Sequence, residues 1–218
     1  MNKKVLIILC SVSLVLLLTS FGFAQPPDKQ WAVGARLSYY DPQSTNDIPS
    51  GGTFDPDAAA LFEGNLTWFP INTVSLEFAV GYTKTTGHLS EPGIDMDFVD
   101  IKQIPLQLTG RYHWWFSNST MSLSAGGGIG YYLNDASATS EAQAVAPNLS
   151  FDADNSFGFH LAGGYEWLFT ESWGFNVDVK YIWNDIDFTG SDPTDPPPET
   201  TNIDYNTLSI GLGIKYYF

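Results

Sequence analysis

The sequence predicts an all-β fold, an eight-stranded antiparallel up-and-down transmembrane β-barrel, and three observations carry that prediction. Apolar and polar residues alternate with period two in eight segments, as strands with one oily face require. The connections between those segments are alternately short and long, the pattern of a barrel threaded through a bilayer. No stretch beyond an N-terminal apolar run approaches the roughly 20 apolar residues of a spanning helix, and lipid tolerates strands only in a sheet that closes on itself.

The first segment, Trp31 to Tyr40, sets Trp31, Val33, Ala35, Leu37 and Tyr39 on one face. The second, about Ala58 to Phe69, sets out Ala60, Phe62, Leu66 and Trp68, and the third, Thr73 to Thr83, sets out Val74, Leu76, Phe78, Val80 and Tyr82. The fourth (Ile101 to Trp115) shows Ile104, Leu106, Leu108, Tyr112 and Trp114, and the fifth (Met121 to Leu133) shows Met121, Leu123, Ile129, Tyr131 and Leu133. In the sixth (Ser156 to Phe169) the row is Phe157, Phe159, Leu161, Tyr165 and Trp167; in the seventh (Trp173 to Asp187) it runs from Trp173 to Trp183. The eighth, Leu208 to Phe218, alternates Leu, Ile, Leu, Ile, Tyr and Phe with Ser209, Gly211, Gly213 and Lys215. A chain ending on an exposed aromatic strand is common among membrane barrels, and such a strand, ending at Phe218, is where barrel assembly machinery is expected to engage.

Phe69-Pro-Ile-Asn, Phe116-Ser-Asn-Ser-Thr and Thr170-Glu-Ser read as tight turns. The stretches 41–56, 84–100, 134–153 and 188–202 read as long polar loops rich in Gly, Pro and Asp. Short turns face the periplasm and long loops the outside, which orients the chain. Outward aromatics gather at both ends of the strands, as interfacial girdles do.

Met1 to Ala24 carries Lys3 and Lys4, an apolar run from Val5 to Leu18, and small residues at its end, so residues 1–24 read as a cleaved signal peptide and 25–218 as one barrel domain. Cys10 lies inside that run. The remainder is more acidic than the formal net charge of −15 for the whole chain, which argues against a nucleic-acid partner. Outer-membrane lipid and lipopolysaccharide are the expected surroundings in a Gram-negative cell.

The opposite parity of each strand gives the lumen. Arg36, Glu63, Glu77, Arg111, Glu166, Asp178, Lys180 and Lys215, with His113 beside them, fall toward the periplasmic half. Eight strands leave room only for side chains, so four bases and four acids must pair there, and they read as a salt-bridged plug. Toward the loops the inward row is Tyr40, Leu61, Ile101, Tyr132, Ile182 and Tyr205, an apolar and aromatic concavity suited to small hydrophobic ligands; the alternative is that folded-in loops fill it. Pro105, inside the fourth segment, deletes one ladder hydrogen bond and marks a possible lateral seam, or a bulge with no traffic.

Other motifs carry less. Gly126-Gly-Gly-Ile-Gly130 lacks the helix and Lys-Ser/Thr pair of a phosphate loop, and lumen-facing glycines are the better account. His160 with Ser124 and Glu166 is the one combination that a Ser-His-acid hydrolase could use, but the expectation is no enzyme and no cofactor. His113 and His160 stand at different heights, so no shared metal is expected. Asp95, Asp97 and Asp100 are a weak candidate for Ca²⁺ or Mg²⁺, which would bridge to lipopolysaccharide.

Taken in order, Trp31-Ala-Val-Gly-Ala-Arg36 with Asp41-Pro42, Gly64-Asn-Leu-Thr-Trp-Phe69, Lys102-Gln-Ile-Pro-Leu106, Gly126 to Tyr131, Trp173 to Tyr181 and Gly211 to Phe218 resemble the OmpW family of outer-membrane proteins. The resemblance implies an eight-stranded barrel whose hydrophobic upper channel passes small apolar molecules, with a lateral exit. The acidic, Pro-rich stretch Asp192 to Pro198 departs from that pattern and keeps a second expectation open: a non-transporting surface barrel whose loops bind envelope or host partners.

Overall fold

The computed structural model describes residues 29–43, 46–47, 53–91, 94–116, 120–192 and 195–218; for 46–47, 91, 94, 192 and 195–199 it describes the backbone alone. The expected export segment, 1–24, lies outside the described residues. In chain order the elements are β1 (Trp31–Pro42), β2 (Asn46–Asp47), β3 (Thr53–Pro56), β4 (Ala59–Ile71), β5 (Val74–Glu91), β6 (Ile94–Trp115) and β7 (Met121–Ala138). They continue with α1 (Ser140–Val145), β8 (Ser150–Ala153), β9 (Ser156–Leu168), β10 (Trp173–Trp183), β11 (Asp185–Asp192), β12 (Asp195–Asp204) and β13 (Thr207–Tyr217).

Eight of these strands close a ring in the order β1-β4-β5-β6-β7-β9-β10-β13, and β13 returns to β1 from Ala32↔Tyr217 to Pro42↔Thr207. Every neighbouring pair is antiparallel. Closure leaves no open edge within the ring, which lipid demands because it offers backbone groups no partner. Burial alternates along the ring strands, least clearly in the glycine-rich middle of β7, and the exposed set is the apolar one: Val33, Leu37, Phe78, Leu108, Ile129, Leu161, Leu212 and their like. Among the described residues the buried set is mixed, with polar and charged side chains slightly outnumbering apolar ones. This inversion of a soluble protein's pattern is the fold's response to an oily solvent.

Aromatic contacts lie at both rims. Trp31 stacks on its register partner Trp68, and Trp173 packs on Tyr216, at the periplasmic end. Tyr181 meets Trp183, and Phe157 meets Phe159, toward the loops.

Three boundaries differ from the sequence reading. β4 does not turn at Phe69 but continues to Ile71, which pairs with Val74 across a two-residue reversal, and Phe69 faces inward. β10 ends at Trp183, and Asn184 separates it from β11, where one strand through Asp187 was expected. The stretches expected as irregular loops are mostly strand. β5 and β6 climb together to Glu91↔Ile94, β2 and β3 add to the β5 edge, and β12-β11-β8 form a separate three-stranded sheet. β6 has 22 residues, about twice the 9–11 needed to cross a bilayer. The physical reason is that inward alternation continues past the membrane: Leu89, Val99, Ile186 and Phe188 are buried and hold the extensions in register.

Candidate functional site

The lumen is built in layers. At the periplasmic end Ala32, Phe69, Trp115, Leu168 and Tyr217 form a buried apolar floor. Phe69 packs on Tyr217 and on His113, and Trp115 Nε1 donates to the Asn72 carbonyl. The Tyr217 hydroxyl donates to Glu166.

Above the floor stand the eight predicted charges, all buried. Arg36 bridges three strands, reaching Glu63 at 3.3 Å, Glu77 at 2.9 Å and Asp178 at 3.4 Å. Arg111 holds Asp178 at 2.7 Å, Lys215 holds Glu77 at 2.7 Å, and Lys180 holds Glu63 at 3.1 Å. Seven of the eight thus share one ion-pair network, and Glu166 stands apart on Tyr217. Charges this buried persist because their partners replace the hydration they lost. The wall opposite them is thinned: a Cβ on Gly128 would sit 1.9 Å from the Leu108 carbonyl and 2.8 Å from His160 Nε2, so only glycine lets β7 approach there.

A polar belt separates the charges from the upper lumen. Lys180 donates to Gln107 Oε1 at 2.6 Å, Gln107 Nε2 to the Tyr132 hydroxyl at 3.2 Å, and the Tyr40 hydroxyl to Gln103 Oε1 at 2.6 Å. Tyr205 and Thr85 share a hydrogen bond of 2.7 Å.

Tyr40, Leu61, Ile101, Tyr132, Ile182 and Tyr205, predicted from parity alone, come together in one cluster, each at most 1% exposed. The cluster also takes in Phe54 of β3, Val99 of β6, Ile186 and Phe188 of β11, and Ile203 of β12. Phe54 and Phe188 face each other with ring centroids 6.4 Å apart and roof the lumen. The sequence reading made the six the lining of a hydrophobic entrance, with folded-in loops as the alternative filling; residues of β3, β11 and β12 pack against them.

Pro105 faces the lumen in β6. On its β7 side the ladder runs through Pro105↔Tyr132 unbroken. On its β5 side pairing passes from Val80↔Leu106 to Thr83↔Gln103, so Gly81 and Tyr82, though paired with β4, have no ladder partners on β6.

Two weaker expectations fail on geometry. His160 Nε2 is bonded to Thr109 at 2.8 Å, while Ser124 lies across from His113 and Gly164, so the hydrolase combination is not assembled. His113 likewise bonds Ser75 at 2.8 Å. Asp95 and Asp97 hold His88 at 2.7 and 3.1 Å, and Asp100 holds Lys84 at 2.8 Å, so these carboxylates are engaged with the protein's own side chains. The Asp95 hydrogen bond, then that of Asp97, raises the His88 pKa, and His88 lowers that of Asp95. Farther along, burial and the neighbouring Asp204 raise the Asp185 carboxyl.

The sequence reading missed the floor and the roof. A signal for the floor was present: Trp68-Phe69, Trp114-Trp115, Trp167-Leu168 and Tyr216-Tyr217 are apolar doublets, so one member of each must face inward. The roof had no comparable signal, because Phe54 and Phe188 sit among Asp, Pro and Thr.

A family model described as the outer-membrane protein β-barrel domain matches residues 11–218. No curated protein matches the chain at a significant level. Among solved structures the chain is similar to the outer-membrane protein OprG from Pseudomonas aeruginosa, at 18% identity and TM-score 0.76 over 90% of this chain and 98% of that one. It is similar to outer-membrane protein AlkL, solved in lipid bilayers, at 21% identity and TM-score 0.63 over 92% and 93% of the two chains. Neisserial surface protein A shares the architecture at 15% identity and TM-score 0.53, over 86% and 97%.

Proposed function

The chain belongs to the outer-membrane protein β-barrel domain family and spans the bacterial outer membrane, and from that premise we propose that it is a passive conduit or binding barrel for small hydrophobic molecules. The observation that carries this reading is the apolar cluster around Leu61 and Ile182 set directly above a layer of paired charges. An apolar guest gains about 25 cal/mol per Å² of surface removed from water in the upper lumen. Passing straight down, it would have to part ion pairs whose separated charges are costly. The charge layer therefore acts as a plug, and the upper lumen as the guest's site. The OmpW-like order of motifs supports the same reading.

With Phe54 and Phe188 in contact the upper lumen is covered, so entry requires the roof to part. Exit follows the weakest wall. The unpaired step between Gly81 and Pro105 lies just below the apolar cluster, where Leu61 packs on Gly81. A guest turned aside by the plug leaves there into lipid.

Leu61→Asp or Ile182→Asp should reduce uptake of an apolar probe into liposomes at least several-fold while the barrel still folds. Normal transport by both variants would contradict the pocket. A second reading, a non-transporting surface barrel with acidic outer strands that bind a partner, is favoured by the roof's close packing. Deleting residues 190–199 separates the two: a conduit keeps its flux, whereas a surface barrel keeps none to lose and forfeits its partner.

Residues 1–24 act as a removable export signal, and N-terminal sequencing of membrane-extracted protein should begin near Gln25. The row ending at Tyr216 and Phe218 is exposed and apolar, a suitable handle for the assembly machinery. Replacing Phe218 by Asp should slow membrane insertion, measured as delayed heat-modifiable mobility.

A further inference from the structure

The row of inward side chains that rises through Ile182 and continues to Ile186 and Phe188 is interrupted by one amide, Asn184. Asn184 is 3% exposed, and neither its Oδ1 nor its Nδ2 has a hydrogen-bond partner. Its two apolar neighbours on that face are 1% and 0% exposed and belong to the upper cluster. The backbone around it is satisfied, since its carbonyl accepts from the Tyr205 amide at 2.7 Å. Nearby hydroxyls are committed elsewhere: Tyr132 accepts from Gln107, and Tyr205 shares its bond with Thr85. Gly158 lies close against the amide: a Cβ there would sit 3.3 Å from the Asn184 Cβ and 3.1 Å from the Tyr132 ring, so a larger residue would crowd both.

Burying an amide with both ends unmade costs free energy that a leucine in the same place would not. A guest that completes those bonds recovers that cost, and binding pockets place a few polar groups among apolar walls to orient what they hold. Resting on the conduit reading above, we propose that Asn184 is the polar anchor of the upper lumen and that the preferred guest is an uncharged apolar molecule carrying one hydroxyl. An amide presents an NH2 that donates and an oxygen that accepts, and a hydroxyl can pair with either. A pure hydrocarbon leaves both unmade. A carboxylate can only accept, so it leaves the amide oxygen unpaired, and it loses its own hydration on entering an apolar chamber.

The test uses the full barrel in nanodiscs with 1-octanol, n-octane and octanoate as probes, their free concentrations corrected for partition into lipid. A completed hydrogen bond should favour octanol over octane by about tenfold. Octanol should move the Asn184 side-chain amide resonances, and octane should not. Asn184→Leu should bring the octanol-to-octane ratio to near one and raise the melting temperature. Equal binding of octanol and octane by the native barrel, unmoved Asn184 resonances at octanol saturation, or an unchanged ratio in Asn184→Leu would each overturn the anchor and leave the conduit standing. Failure of both probes to bind would overturn the conduit and the anchor with it.

Discussion

Single residues hold the lumen together through pairing. Arg36 is the hub, with carboxylates from β4, β5 and β10 around one guanidinium. Arg36→Met should cost about 3–5 kcal/mol, the usual penalty for leaving buried charge uncompensated, read as a lower urea midpoint for unfolding in lipid. Outside the membrane His88 of β5 faces Asp55 of β3 and Asp95 and Asp97 of β6. The hydrogen bonds from Asp95 and then Asp97 raise its pKa above the ordinary 6.5, so the contact is fully formed below about pH 6.5 and is lost as pH rises through the folded value. An NMR titration should give a midpoint above 6.5 that returns toward it in the Asp95→Asn, Asp97→Asn double variant. A native midpoint at or below 6.5 would contradict the assignment. At this scale the sequence was most informative where parity sufficed: all fourteen residues assigned to the upper apolar row and the charge layer are buried. It was least informative about partners, since nothing in the spacing of Glu166 foretells that it meets Tyr217 rather than a lysine.

Strands add what residues alone do not. Pro105 weakens one seam and leaves the other whole, because its missing N–H falls on the β5 side. Pro105→Ala should restore one hydrogen bond, stabilising the β5–β6 pair by about 1 kcal/mol, slowing amide exchange at Thr83 and Gln103, and reducing release of the guest into lipid. Gly128 works in the opposite sense, drawing β7 against β6. Gly128→Ala should destabilise the barrel by about 1–3 kcal/mol, because the new methyl would meet the Leu108 carbonyl rather than a movable side chain. The eight membrane strands were legible because lipid on one side and a polar lumen on the other enforce strict alternation. Above the membrane that contrast fades, water faces the outer side, and short strands such as β3 and β8 carry too few residues to show a period. Asn184 illustrates the same limit, since a polar inward residue fits the alternation while ending the strand.

The whole molecule is a closed cylinder with an apolar floor, a charged layer, a polar belt and an apolar chamber under a roof of extracellular strands. Closure needs the first and last strands to meet, so folding waits on a contact between the two ends of the described chain. Function, in this account, depends on the one part that closure does not fix, the roof made by β3, β11 and β12 over the upper cluster. The most direct test locks that roof. Phe54→Cys with Phe188→Cys places two thiols on opposite sides of the Phe54–Phe188 ring contact, to be joined by a cleavable bifunctional thiol cross-linker, in a barrel whose only native cysteine, Cys10, lies in the proposed leader. Cross-linked, the double variant should lose most of its uptake of an apolar probe into liposomes, and cleaving the linker should restore it. Equal uptake in the cross-linked and cleaved forms, with the cross-link verified, would contradict entry through the roofed upper lumen.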